Sequence, residues 1–79
     1  MNKTQQKKVL IFQDEISALR DKFEDFKNEI EEAFEKKSEK WQESDEGQEM
    51  QSDMSNIEDC YNYLDNAADV LGNISAEVD

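Results

Sequence analysis

The chain has no histidine, no proline, one cysteine, two glycines and one tryptophan among its 79 residues. Each shortage excludes something. Without histidine there is no imidazole base, and the usual zinc and di-iron ligand sets cannot be assembled. Cys60 has no second cysteine in the chain with which to form a disulfide, which fits a reducing compartment. The longest unbroken apolar run, Val9-Leu10-Ile11-Phe12, is far too short to span a bilayer or to form the core of a signal peptide. The expectation is a cytoplasmic protein that does not insert in a membrane. Two tripeptides, Asn2-Lys3-Thr4 and Asn73-Ile74-Ser75, match the glycosylation pattern, and in that compartment both are coincidental. No segment has the alternating acids and glycine of a calcium loop. The sequence therefore predicts a protein that is not an enzyme and takes no metal or other cofactor.

Charged residues make up 38% of the chain and hydrophobic residues 35%, a balance that suits disorder if the apolar residues are scattered. They are not scattered. Val9, Phe12, Ile16, Leu19, Phe23, Phe26, Ile30 and Ala33 alternate steps of three and four, the seam of a helix that packs along another helix. The seam resumes through Phe34 to Trp41 as though four residues had been inserted, a stutter that locally unwinds a coiled coil. A second seam runs Met50, Met54, Ile57, Tyr61, Leu64, Ala68, Leu71 and Val78. Between them, Ser44 is a good N-cap, with Asp45 and Glu46 in the first turn where the helix dipole favours acids. Gly47 either ends the first helix or sits within the first turn of the second.

In an antiparallel pair, residues at one height have numbers with a constant sum. Trp41 with Met50, Phe34 with Ile57, Ile30 with Tyr61 and Phe23 with Ala68 add to 91. Phe26 with Leu64, Leu19 with Leu71, Ile16 with Ile74 and Phe12 with Val78 add to 90. The predicted fold is all-α: a single domain over 1–79 in which helix 1 spans about 5–42, a turn about 43–47 and helix 2 about 45–78, paired as an antiparallel coiled-coil hairpin. Lys27 and Asp65 then flank the seam as a cross-helix ion pair. Trp41, above Phe34, plugs the end of the seam.

Two helices make a thin core. Helix 2 carries a second apolar stripe, Cys60, Tyr63, Ala67, Val70 and Ile74, and Leu10 and Ile11 lie off the seam of helix 1. Surface of this kind on so small a chain marks an interface, and the simplest cover is a second copy, giving a homodimeric four-helix bundle. Gly72-Asn73 is a place where helix 2 could end or kink.

The net charge is −12 and is unevenly spread. Residues 41–79 hold eleven acids and no lysine or arginine. Arg20, Lys22, Lys27 and Lys36 flank the seam of helix 1, whereas its outward face carries Asp14, Asp21, Glu24, Asp25, Glu31, Glu32 and Glu35. A solvated face usually mixes signs, because like charges four residues apart oppose the helix. The sign excludes direct binding to nucleic acid, which needs basic groups on phosphates. It points instead to a partner protein with a basic surface, for which a row of carboxylates stands in for a phosphate backbone.

Glu32-Ala33-Phe34, Trp41-Gln42-Glu43-Ser44, Gly47, Met50, Ile57, Leu64 and Ala67-Ala68 together resemble a group of small acidic helical-hairpin proteins encoded largely by bacteriophages, prophages and similar mobile elements. The likeness covers roughly residues 24–70. Its distinctive part is the Gln-Glu-Ser-x-x-Gly turn, and Trp41 stands where similar proteins often have leucine. The group has no settled activity, so the resemblance implies a genomic setting and lends no site residues. The resulting expectation is a phage-type acidic inhibitor of a host nucleic-acid-handling or defence protein, acting in the host cytoplasm. The alternative is a scaffold that acts by self-assembly.

Overall fold

The computed structural model of the chain describes residues 1–76. It is helical throughout: α1 (Lys3–Glu35), α2 (Glu39–Gln42) and α3 (Asp45–Ala76), with no strand among the described residues. The two long helices lie along each other in an extended rod with Cα extents of 58 × 15 × 13 Å. Val78, expected in the second seam, lies outside the described residues.

Each helix start has a chemical cause. Asn2 caps α1 by accepting from the Gln5 backbone N–H at 2.8 Å, and the Gln5 side chain accepts from the Asn2 N–H at 3.0 Å. This closes a capping box that satisfies two orphan donors at once. Asn2 thus has an architectural role that its tripeptide did not announce. Ser44 accepts from the Gly47 N–H through Oγ at 3.3 Å and from the Gln48 N–H through its carbonyl at 2.9 Å, so the second long helix starts where its sequence indicated.

The first long helix ends earlier than the seam suggests. It stops at Glu35 instead of running to about residue 42, and the stutter is realised as a break at Lys36–Ser38. Ser38 is the cause: with ψ of 155° it leaves the helical region, and its side chain accepts from the Trp41 N–H at 3.2 Å to start α2. The turn of helix expected to prolong α1 is instead a separate helix folded over the α1 end. Helix α3 passes through Gly72-Asn73 without interruption.

Cross-helix contacts show opposite chain directions and a register displaced by more than one turn from the expected one. Arg20 reaches Asp65 at 3.0 Å, and the Gln13 side chain donates to the Ala68 carbonyl at 3.2 Å. Ile30 shares a cleft with Met50 and Ile57 rather than with Tyr61, and Phe23 shares one with Leu64 and Cys60 rather than with Ala68. The displacement follows from the early end of α1: without residues 36–42 in its arm, α1 meets α3 nearer the α3 start. The expected Lys27–Asp65 pair is accordingly not made. Asp65 takes Arg20, and Lys27 lies 4.0 Å from Glu31 on its own helix.

Candidate functional site

The corner comes first because it gathers the distinctive residues. Gln42 donates through Nε2 to the carbonyls of Phe34 and Lys37, both at 3.1 Å, closing the open C-terminal end of α1. Ser44 Oγ also donates to the Trp41 carbonyl. Gly47 is buried in the first turn of α3, and a Cβ there would collide with the backbone carbonyls of Trp41 and Gln42. Its φ is not positive, so close approach and not a left-handed conformation demands glycine. The Gln-Glu-Ser-x-x-Gly pattern is thus a structural corner, in which Gln42, Ser44 and Gly47 each have a local job.

Trp41 completes the corner. Its ring meets Phe34 edge-on, with centroids 6.1 Å apart and planes at 64°. The Lys37 ammonium lies 5.2 Å from the indole centroid, and the indole N–H donates to Glu46 at 3.3 Å. Every polar handle of the indole is engaged within the corner, as suits a plug at the end of the rod.

The acidic residues of α1 remain on the outside. Asp14, Asp21, Glu24, Asp25, Glu32 and Glu35 are exposed, and Glu31 is half-buried. At 100° per residue they spread over one flank of α1, reaching at Glu31 the face of Gln13, which meets α3. Two of the seven are compensated: Asp21 accepts from Arg20 at 3.2 Å, and Glu31 neighbours Lys27. Asp65 first, then Asp21, raises the Arg20 pKa above its ordinary value through hydrogen bonds. Asp14, Glu24, Asp25, Glu32 and Glu35 have no ion-pair partner among the described residues. Among those same residues no cluster of three or more acidic or cysteine side chains is arranged to hold a metal ion, and no helix is long and apolar enough to cross a membrane.

Of the residues expected to cover a partner copy, Leu10, Ile11, Cys60, Tyr63 and Val70 are exposed, whereas Ala67 and Ile74 are half-buried. They do not share one face. Leu10 lies about 200° round α1 from Phe12, on the acidic side. Three further residues belong to the apolar surface: Phe12, Leu19 and Phe26, expected inside the seam, are 49%, 44% and 47% exposed. Their places against α3 are taken by Gln6, Gln13, Arg20 and Lys27, all half-buried and seven residues apart. That second, polar heptad was the available signal, and it sits one position after the apolar one.

No known protein family, curated protein or solved structure matches the chain.

Proposed function

We propose that the chain is a non-enzymatic binding module whose acidic flank engages a basic groove on a partner protein. The observation that carries this reading is the row of exposed carboxylates along a straight 33-residue helix, five of them uncompensated among the described residues. Asp14 to Glu35 spans about 32 Å at 1.5 Å per residue, so the seven acids fall at roughly one per 5 Å. One strand of duplex DNA presents a charge about every 3.4 Å, so the spacing is sparser but comparable, and it suits a groove lined to receive phosphates. Attraction of this kind steers association and weakens as salt shortens the Debye length. Together with the resemblance to mobile-element proteins, it favours an inhibitor that occupies a host protein's nucleic-acid site.

The finer architecture belongs to the same reading: an antiparallel coiled-coil hairpin that dimerises into a four-helix bundle. Its support is the exposure of five large apolar side chains, Phe12, Leu19, Phe26, Tyr63 and Val70.

The test is a capture experiment from bacterial lysate with the immobilised chain at low and high salt, run beside a variant carrying Glu24→Lys, Asp25→Lys, Glu31→Lys and Glu32→Lys. The expected result is a set of basic proteins held by the parent at low salt, released at high salt and not held by the variant. Equal capture by the variant would show that the acidic flank is not the binding surface.

A further inference from the structure

Part of the exposed apolar surface of α1 and α3 borders one groove. Leu19 and Phe23 line an open cleft with Cys60, Tyr63 and Leu64, and Phe26 and Ile30 line the next with Met50 and Ile57. Tyr63 is 73% exposed beside it. Within the chain the helices enclose almost nothing: Ala68, at 4% exposure, is the one buried hydrophobic side chain among the described residues. One flank of a rod 58 Å long and 15 Å across offers roughly 800 Å², the per-partner area of a standard interface.

Beside this groove runs a column of charge. Lys8, Glu15, Lys22 and Glu29 recur every seven residues and alternate in sign, and all are exposed. None has an ion-pair partner among the described residues. Lys22 lines an apolar cleft with Leu19, Phe23 and Phe26, which places the column on the groove's edge. Such a column complements a reversed copy of itself in one set of registers and repels it in the other. If facing residues have numbers that add to 37, Lys8 meets the partner's Glu29 and Glu15 meets the partner's Lys22. One heptad further, lysine meets lysine and glutamate meets glutamate.

Within one residue, the favourable register also sets Leu19 opposite the partner's Leu19 and Phe12 opposite the partner's Phe26. A second midpoint agrees independently. The stripe on α3 with seven-residue spacing, Cys60, Ala67 and Ile74, centres on Ala67. The Arg20–Asp65 contact puts Leu19 and Ala67 at nearly the same height on the rod.

We propose that this flank is the interface of a twofold-symmetric dimer in which α1 packs antiparallel on α1 of a second copy, and α3 on α3, with the axis passing beside Leu19 and Ala67. This rests on the self-association reading above and fixes its geometry. A twofold axis along the rod would instead set α1 against the partner's α3. Residues 41–79 have no lysine or arginine to meet Glu15 and Glu29 there. Ala67 permits close approach at the axis, and the acidic flank of α1 stays open to solvent in both copies.

Charge exchange tests the register. By sedimentation equilibrium at low salt the parent chain should show twice its 9.2 kDa mass. Lys22→Glu turns two symmetry-related attractions into repulsions and should weaken the dimer roughly tenfold. Glu15→Lys should do the same, and the double exchange should restore parental affinity, with helical content by circular dichroism unchanged throughout. Cys60 and the partner's Cys60 lie fourteen residues apart along the rod, about 20 Å, so an oxidant should produce no disulfide-linked dimer. A helical monomer would overturn both the geometry and the self-association reading. A dimer that the double exchange fails to rescue, or that Cys60 links rapidly, would overturn the geometry alone.

Discussion

At Gly47, helix propensity and packing oppose each other. In the first turn of an ordinary helix, alanine is favoured over glycine by up to about 1 kcal/mol. Here a methyl group would press on the Trp41 and Gln42 carbonyls, which are backbone atoms fixed by α2 and its caps. Gly47→Ala is therefore expected to destabilise by about 2 kcal/mol or more, measured by urea unfolding. Gly72→Ala is the internal comparison. Its Cβ would meet the Gln13 amide nitrogen at 2.8 Å, the far end of a flexible side chain that can move aside. The gain in helix propensity then balances the disturbed Gln13 contact, and the net change should stay within about 1 kcal/mol. Ser44 was legible in the sequence because capping is local chemistry between residues three apart. Gln42 was not, because the carbonyls it closes belong to a helix end that the apolar seam conceals.

The elements differ from the sequence reading in length, because Ser38 starts a new helix, and in rotation. Spacing alone identifies two long helices, and both are present. It assigns apolar residues to the inside of the pair, which assumes that the pair is the whole assembly. In the structure α1 turns Gln13 and Arg20 toward α3 and leaves Phe12, Leu19 and Phe26 on the groove. The register can be measured with double-mutant cycles in urea unfolding. Arg20→Ala with Asp65→Ala should give a small but measurable favourable coupling, as for other partly exposed pairs. Lys27→Ala with Asp65→Ala should give none. Coupling in the second pair and not the first would restore the register expected from the constant sums.

For the whole molecule the decisive quantity is how much apolar surface a single copy leaves in water. A chain of this length is at the size where one core barely offsets the conformational entropy of folding, and this rod has almost no enclosed core. In the proposed dimer, stability comes largely from association, and folding is linked to protein concentration. For a dimer of two such chains the unfolding enthalpy near 60 °C is about 110 kcal/mol, at about 0.7 kcal/mol per residue. Mass action then moves Tm by roughly 5 °C for each tenfold change in concentration. Thermal melts followed by circular dichroism across a hundredfold range should therefore shift by roughly 10 °C. A Tm independent of concentration would mean that the helix pair stands alone. Salt separates this effect from the charge on the rod: with 21 acids against nine basic residues, screening relieves more repulsion than attraction. Added sodium chloride should raise Tm at every concentration while leaving the slope with concentration unchanged. The same salt should release a basic partner from the acidic flank, so weakened partner binding with strengthened assembly would distinguish the two surfaces in one titration.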